Sequence, residues 1–330
     1  MPGLREYTRT SIVAHVQTWR PYTTCYPALL GLAGAAWAGG AGPGELLTAV
    51  VAPALGWLSG HYLGDWMDRD LDAIGKPQRP IPSGRLSPGA ALWSGIGCAV
   101  VSAVLAVGAN WRILPLFLLA MAGIVSYSRV FKKRGLSGNV ARGVLTALAV
   151  VIGAMVAQPF PPWSLLPVAA GFLLHDTSSN LVGTVRDVDG DRAGGYRSVP
   201  VRRGVRHAVR LALALYVCGL TLLASAAAGT PADPAGYLAF LALAAVIGAA
   251  AFVPLLRSGT RIGQRAALRG HEVLVAERLV LAAGVVAGAL GPATAALAVV
   301  PVLLFSLVTQ KLMRAGHEFP PALVRKEPVT

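Results

Sequence analysis

Ten stretches of this chain are long and apolar enough to cross a lipid bilayer, and no other feature constrains the fold as strongly. A membrane-spanning helix needs about 20 mostly apolar residues. The stretches cover residues 22–41, 45–64, 87–109, 113–131, 140–158, 162–184, 208–229, 235–256, 273–290 and 293–312. Only 13% of the residues are charged, whereas a soluble domain has about 25%. The sequence therefore predicts an all-α polytopic membrane protein with nine to ten transmembrane helices.

The positive charges are distributed unevenly between the connections. A net charge of +14 would by itself invite a nucleic-acid-binding interpretation. However, 28 of the 29 Lys and Arg residues fall in or near alternate connections or at the chain ends, and only Arg112 lies on the other side. Because cytoplasmic loops collect Lys and Arg, we expect the N-terminus, the long loops and a tail over residues 315–330 to be cytoplasmic. We expect no nucleic-acid partner, and the high Ala, Gly and Arg content suggests a bacterial cell membrane.

Seven of the nine aspartates fall in two short clusters, each at the end of a predicted helix. In the first cluster, Asp65, Asp68 and Asp72 share one helix face at spacings i, i+3 and i+7. In the second, Asp187 and Asp191 share a face at i and i+4. Mutually repelling carboxylates at a membrane edge need cations, and Mg²⁺ takes carboxylate oxygens together with substrate phosphate oxygens. The two clusters therefore predict two Mg²⁺ ions that clamp a diphosphate.

Three motifs resemble those of the UbiA-type intramembrane prenyltransferases. Residues 64–85, GDWMDRDLDAIGKPQRPIPSGR, resemble the first aspartate-rich motif of that family and the loop after it. Residues 186–204, RDVDGDRAGGYRSVPVRRG, resemble the second aspartate motif, and residues 127–135, YSRVFKKRG, resemble a Tyr/Lys motif that ends the fourth helix. The resemblance extends over about residues 20–290. It implies one integral-membrane domain over residues 1–330, with the helices arranged around a central cavity.

The resemblance also implies a role for each polar cluster. The side chains that would bind Mg²⁺ and the diphosphate of an isoprenyl substrate are Asp65, Asp68, Asp72, Asp187 and Asp191. Lys132 would contact the diphosphate, with Arg79 and Arg197 as further candidates, and Tyr127 would lie beside the allylic carbon. Metals and cations stabilise the negative charge that develops on the leaving group, so the allylic C–O bond can break with carbocation character.

Two positions depart from the family pattern. The family has an Asn before the first aspartate of its first motif, whereas this chain has Gly64. Tyr127 also precedes Lys132 by five residues, while the ubiquinone-type members have four. Five-residue spacing is typical of the archaeal lipid-type members, so we expect the second departure to mark a subclass.

An ionisable pair, His175 and Asp176, lies inside the sixth predicted helix. Ionisable residues within a membrane segment are functional candidates by default. Asp176 would orient or deprotonate an acceptor or stabilise a cation, or else it is a structural residue that hydrogen-bonds to a neighbouring helix. Asn180, one helical turn further on, is another candidate for substrate binding at the diphosphate.

Three functions remain open from the sequence alone. The leading hypothesis is a Mg²⁺-dependent prenyltransferase that passes an isoprenyl group from its diphosphate to a lipophilic or aromatic acceptor, with an aromatic or quinone precursor as first guess. The second is a UbiA-type terpene cyclase, which ionises the same diphosphate and quenches the cation internally. The third is a transporter, which is disfavoured because its polar residues should lie at the midplane and not at one membrane edge.

Overall fold

A computed structural model describes residues 2–230, 232–258 and 262–319. The helices are α1 (Pro2–Trp19), α2 (Pro21–Ala38), α3 (Pro43–Gly75), α4 (Pro88–Ala109), α5 (Leu114–Ser126), α6 (Ser137–Ala157), α7 (Leu166–Arg186), α8 (Val188–Ala193), α9 (Val199–Arg203), α10 (Val205–Ser225), α11 (Pro234–Arg257), α12 (Gln264–Leu290), α13 (Pro292–Thr309) and α14 (Ala315–Glu318). Two π-helical turns cover Tyr127–Phe131 and Gln310–Arg314, and short 3₁₀ turns cover Trp111–Ile113, Trp163–Leu165 and Ala226–Gly229. Two-residue strands, β1 (Arg134–Gly135) and β2 (Arg197–Ser198), pair in parallel.

Each of the ten predicted segments coincides with a long helix, which confirms the all-α polytopic fold. Within the described ranges, eight helical segments are long and apolar enough to cross a membrane. The other two, α2 and α7, are helical but more polar. The helix α3 is longer than predicted, because it continues through the first aspartate cluster to Gly75. At 1.5 Å per residue, its 33 residues span about 50 Å, which exceeds a hydrocarbon core of about 30 Å.

Small residues allow α2, α3 and α6 to meet at backbone distance. A Cβ atom added at Gly31 would overlap the carbonyl oxygen of Ala49, and one added at Gly153 would overlap the carbonyl oxygen of Gly31. Close backbone approach at small residues is a main source of helix association in membranes, where no hydrophobic driving force acts between helices. Because α2 thereby packs against α3 and α6, the three helices form a fixed wall beside the polar site.

A cavity of about 490 Å³ opens between α3, α5, α6, α7 and α12. One end, which we call the motif end, is lined by the aspartate motifs together with Arg20, Lys76, Arg79, Lys132 and Arg186. Deeper in the bundle, the cavity is lined by Trp57, Arg142, Asp176, Ser179 and Arg278, a region that we call the inner end. The short sheet joins two of the motifs, since Arg134 of β1 pairs with Arg197 of β2. The Tyr/Lys segment and the second aspartate motif are therefore held side by side.

Candidate active site

The two aspartate clusters line the same cavity from opposite helices. Asp65, Asp68 and Asp72 project from the extended end of α3, as their spacing predicts. Asp187 ends α7 and Asp191 lies in α8. The backbone N–H of Asp191 donates to the carbonyl oxygen of Asp187 at 2.8 Å, so a helical turn still places the two carboxyl groups on one side. The structure thus brings together all five side chains that the sequence assigns to the metal site.

Each carboxylate of the first cluster has a basic partner. Lys132 Nζ donates to Asp68 Oδ2 at 2.7 Å. The Nη1 atom of Arg79 donates to both oxygens of Asp72, at 2.8 and 2.9 Å. Asp65 pairs with Arg20, a residue that the sequence analysis did not assign to the site. Repulsion among the three carboxylates is therefore balanced by three separate cations.

Asp187 in the second cluster is paired in the same way. The Nη2 atom of Arg186 lies 2.7 Å from Asp187 Oδ2, and Lys76 Nζ lies 3.3 Å from Oδ1. Burial raises the pKa of Asp187, but Arg186 and Lys76 outweigh burial and hold that pKa well below its usual value. Burial also raises the pKa of Asp191. The two acids of this cluster therefore differ in how strongly their charged forms are stabilised.

The same electrostatics keep the basic groups charged. Burial lowers the pKa of Lys132, but Asp68 outweighs burial and the net effect raises that pKa. Burial likewise opposes the charge of Arg79, but Asp72 and Glu318 raise its pKa above the ordinary arginine value. Both groups are therefore cations over the whole pH range in which a protein is assayed.

Glu318 belongs to this cavity although no sequence signal singled it out. Its carboxylate lies 2.8 Å from Lys76 Nζ, 3.0 Å from Arg186 Nη1 and 3.5 Å from Arg79 Nη2. The side chain of Glu318 is only 9% exposed. Residues 315–319 of the predicted cytoplasmic tail thus pack against the motif end through helix α14. Residues 320–330 lie outside the described part of the chain.

A π-helical turn explains the spacing of Tyr127 and Lys132. The backbone N–H of Lys132 donates to the carbonyl oxygen of Tyr127 at 2.8 Å, which is the i→i+5 bond of a π-turn. That bond brings residues five apart onto one face, as an i→i+4 bond does in an α-helix. Both side chains line the cavity. The extra residue relative to the ubiquinone-type pattern is thus absorbed locally, and π-turns of this kind are frequent at functional sites.

The intramembrane pair His175 and Asp176 separates into two environments. His175 Nε2 lies 2.6 Å from Glu277 Oε2, and Glu277 accepts a hydrogen bond from Tyr216 at 3.1 Å, all among buried side chains. Asp176 instead lines the cavity and accepts a hydrogen bond from Arg278 Nη1 at 3.2 Å. The other oxygen of Asp176 has no hydrogen-bond partner in the described structure. His175 therefore belongs to a buried hydrogen-bond network, whereas Asp176 lies at the cavity with one oxygen unpaired.

Two cations at the inner end were misassigned by the sequence analysis. Arg142 and Arg278 were counted with the Lys and Arg residues that fix topology, but both lie within helices and line the cavity. Arg142 stacks over the ring of Trp57, 4.5 Å from its centroid, and Arg278 is 2% exposed. The signal that identifies them is an arginine inside an apolar run, where a charge is costly and normally functional.

Arg197 is the one predicted site residue that does not line the cavity. It lies in β2, where its backbone N–H donates to the carbonyl oxygen of Lys133 at 3.1 Å, and its side chain is exposed. Arg197 is therefore not among the side chains that line the cavity beside the carboxylates. Asn180 does line the cavity, and its Oδ1 accepts a hydrogen bond from Asn139 at 3.3 Å.

The donor set at the motif end has the right chemistry for Mg²⁺. Carboxylate oxygens are hard ligands, and Asp65 Oδ2 is buried without a hydrogen-bond partner. Within the described ranges, no three His, Cys, Asp or Glu side chains surround one point closely enough to hold a metal ion. The carboxylates would therefore have to exchange their Lys and Arg partners for the metal. The chemistry of these residues fits the ion once the carboxylates are released from their Lys and Arg partners.

The fold and the cavity define an all-α intramembrane protein in which paired acidic and basic side chains form a site at one end of an apolar helix bundle. The model of the UbiA prenyltransferase family matches residues 24–269. This match covers more than half of the chain, so the protein belongs to the UbiA prenyltransferase family, as the motifs indicated.

Several relatives and solved structures are similar to this chain. It is 31% identical over 255 residues to the digeranylgeranylglyceryl phosphate synthase of Thermococcus kodakarensis, covering 75% of this chain and 88% of the relative. It is 32% identical over 206 residues to that of Natronomonas pharaonis, covering 61% and 73%. These relatives are archaeal, so they do not support the bacterial source suggested by composition.

The solved structures share the fold at lower identity. A UbiA homolog from Aeropyrum pernix has a TM-score of 0.67 at 17% identity, over 79% of this chain and 96% of that one. A UbiA homolog from Archaeoglobus fulgidus, bound to DMAPP and Mg²⁺, has a TM-score of 0.60 at 15% identity, over 81% and 98%.

Proposed function

We propose that this protein transfers an isoprenyl group from an isoprenyl diphosphate to a lipophilic acceptor within the membrane, through a carbocation-like allylic state. The observation that carries the proposal is the shared cavity, in which two aspartate clusters and a set of cations face each other at the motif end. The Archaeoglobus homolog bound to DMAPP and Mg²⁺ supports the same substrate class and the same metal.

Mg²⁺ ions, two in our proposal, would be held by Asp65, Asp68 and Asp72 on one side and by Asp187 and Asp191 on the other. Their chemistry is to neutralise the diphosphate as it leaves. The chain itself contributes the cations that the carboxylates release when they bind metal. Among these, Lys132 and Arg79 remain charged and face the cavity, so they are placed to bind diphosphate oxygens.

The remaining roles follow from position along the cavity. Tyr127 shares a face with Lys132 and would lie beside the allylic carbon, where its ring stabilises developing positive charge. Asn180 would contribute a polar contact near the diphosphate. Asp176 faces the inner end with one free oxygen and would orient or deprotonate the hydroxyl of the acceptor. The names of the relatives favour a glyceryl phosphate acceptor over the aromatic one expected from the sequence.

The test is an incubation of purified protein with Mg²⁺ and geranylgeranyl diphosphate, with and without an alkyl glycerol phosphate acceptor. Diphosphate release that requires the acceptor and yields an ether product is the expected result. A cyclic hydrocarbon formed without acceptor would refute the transferase hypothesis and support the cyclase hypothesis. Asp68→Asn should abolish turnover, whereas Asp70→Asn should not, because the Asp70 side chain in the same motif is 90% exposed.

We also propose that the motif end faces the cytoplasm, because most of the Lys and Arg residues lie at that end of the bundle. A single cysteine introduced at exposed Arg202 would report the side. We expect a membrane-impermeant maleimide to label this cysteine only after right-side-out vesicles are opened. Labelling in intact vesicles would show that the motif end faces the outside.

A further inference from the structure

A buried polar network joins α7, α10 and α12, and its members are not among the described residues that line the cavity. His175 Nε2 lies 2.6 Å from Glu277 Oε2, and both side chains are fully buried. The hydroxyl of Tyr216 donates to Glu277 Oε1 at 3.1 Å and also lies 3.3 Å from the carbonyl oxygen of Ala244 in α11. Ionisable residues inside a membrane bundle are costly and normally functional. Because these side chains are closed off from the cavity, their function has to act through neighbouring residues.

The neighbours are two residues of the inner end, Asp176 and Arg278. His175 directly precedes Asp176 in α7, and Glu277 directly precedes Arg278 in α12. Asp176 and Arg278 both line the cavity, where Arg278 Nη1 donates to Asp176 Oδ1 at 3.2 Å. Two polar contacts, one residue apart on each helix, therefore join α7 to α12. Since successive residues of an α-helix point about 100° apart, one contact faces the cavity and the other faces away from it.

Two contacts in different directions fix the orientation of α7 more closely than one contact does. The hydrogen bond between Asp176 and Arg278 alone would leave α7 free to turn about its axis or to slide along α12. Hydrogen bonds between membrane helices are directional, whereas apolar side chains pack equally well against lipid and against other helices. A fully buried hydrogen-bond network also selects one arrangement of the groups around it. The contact between His175 and Glu277 therefore removes the freedom that the first contact leaves.

The network is itself held in place by α10 and α11. Tyr216 is 4% exposed, and its ring centroid lies 5.5 Å from that of His175 and 5.2 Å from that of Phe252. A Cβ atom added at Gly248 would overlap the Tyr216 hydroxyl, so the glycine provides the space that this hydroxyl occupies against α11. The hydroxyl in turn fixes the Glu277 carboxylate. His175 thus has a partner whose position is set by three helices.

We propose that His175, Glu277 and Tyr216 are positioning residues that set the orientation of Asp176 at the cavity. The inference rests on the proposed function, in which Asp176 orients or deprotonates the acceptor hydroxyl, and it adds the residues that hold Asp176 in place for that step. All three act from outside the cavity. A displacement of about 1 Å at a reacting group can cost on the order of 100-fold in rate. Loss of the network should therefore slow transfer to the acceptor and leave binding of isoprenyl diphosphate at the motif end unchanged.

Stability and positioning can be separated if both members of the ion pair are replaced. Removal of one partner leaves an uncompensated buried charge and is strongly destabilising, whereas replacement of both by apolar residues of similar volume is often neutral. The variant His175→Leu/Glu277→Leu should therefore keep a melting temperature close to that of the wild type. Leucine side chains make no hydrogen bonds, so α7 should lose its fixed orientation while the bundle stays folded.

The transfer assay with geranylgeranyl diphosphate and an alkyl glycerol phosphate measures the consequence. In the double variant, kcat/KM for the acceptor should fall by about 10- to 100-fold, and the KM for geranylgeranyl diphosphate should not change. His175→Gln should retain most of the activity, because its side-chain amide can still donate to Glu277. An unchanged kcat/KM for the acceptor in the double variant would overturn the proposal, and so would an equally large rise in the KM for geranylgeranyl diphosphate.

Ser178→Ala is the matched control on the same helix. The hydroxyl of Ser178 is buried and donates to the carbonyl oxygen of Ala212 in α10 at 2.7 Å. Its removal takes one buried hydrogen bond from α7 but leaves both contacts with α12 intact. This variant should keep the kinetic constants of the wild type for both substrates. A loss equal to that of the double variant would show that any weakening of α7 has the same effect, and would overturn the proposal.

A structure of the double variant gives a measurement that needs no turnover. The distance between Asp176 Oδ1 and Arg278 Nη1 should increase beyond hydrogen-bond range, and an unchanged contact would overturn the proposal. If the wild-type protein transfers the isoprenyl group to no acceptor, the proposed function fails. The distance between these two atoms still tests whether the network positions Asp176.

Discussion

Replacing Glu318 with Gln should tighten the binding of isoprenyl diphosphate. The Glu318 carboxylate contacts Lys76, Arg79 and Arg186 at 2.8 to 3.5 Å, and these cations face the end of the cavity where the diphosphate would bind. A diphosphate oxygen can take such a cation only if the cation releases Glu318. The glutamate therefore competes with the substrate for the same donors.

The magnitude follows from the contacts. A hydrogen bond to a charged group contributes about 1.5 to 3 kcal/mol. If the substrate displaces one such contact, removing the charge of Glu318 should lower the Kd by about 10- to 100-fold. The ligand-free variant should be less stable than the wild type, because breaking a buried ion pair leaves uncompensated cations. Added Mg²⁺ and diphosphate should therefore raise its melting temperature by more than they raise that of the wild type.

The assay is equilibrium binding of an unreactive isoprenyl thiolodiphosphate with Mg²⁺ to the detergent-solubilised protein. Asp189→Asn is the matched control, since this acid belongs to the second motif but its side chain is 65% exposed. A Kd that rises in Glu318→Gln would refute the competition and make Glu318 a contributor to metal binding. A Kd equal to that of the wild type would show that the substrate leaves the three contacts of Glu318 intact.

Three further results are expected. Lys132→Met should reduce turnover at least 100-fold at every pH from 6 to 9, because Asp68 keeps the wild-type amine charged across that range. A difference between the two rate–pH profiles that narrows at high pH would contradict this. Gly153→Ala should lower the free energy of unfolding by about 1 to 3 kcal/mol, because the added methyl group would overlap the backbone of α2. Gly97→Ala should not lower it, because a Cβ atom there meets no atom within 4 Å. Equal melting temperatures of the two variants would refute the packing argument. Asp187→Asn should cost stability by an amount that is constant above about pH 5 and shrinks as the pH falls further, because Arg186 and Lys76 hold the pKa of Asp187 below its unfolded value. A difference in thermal unfolding that changes between pH 5 and 8 would contradict that shift.

Local spacing predicted the parts of the site that lie on one continuous helix. The i, i+3, i+7 pattern placed Asp65, Asp68 and Asp72 on one face because α3 continues unbroken through them. The five-residue interval between Tyr127 and Lys132 was visible in the sequence, but the π-turn that reconciles it with a shared face was not. An argument from periodicity assumes α-helical geometry throughout, so it fails where a π-turn accommodates an extra residue.

Long-range contacts account for what the sequence did not show. Glu318 reaches the motif end only because α14 packs back across the bundle, and Arg20 reaches Asp65 from the turn between α1 and α2. Arg278 was counted as a topological charge because its position within α12 cannot be located from charge alternation alone. Arg197 lies in a motif but is turned outward by the two-residue sheet. Each case depends on contacts between segments that are far apart in the sequence, and local sequence patterns do not show those contacts.

The acid–base pairing explains how so many charges persist at the edge of an apolar bundle. Six carboxylates, from Asp65 to Glu318, and six cations, from Arg20 to Arg314, line the motif end of the cavity, so it is close to neutral as a whole. Unpaired, each buried ion would cost several kcal/mol. Two Mg²⁺ ions with a diphosphate form a unit that is itself nearly neutral. Binding can therefore proceed by exchange of partners, carboxylates to metal and cations to phosphate, with little change in the net charge buried.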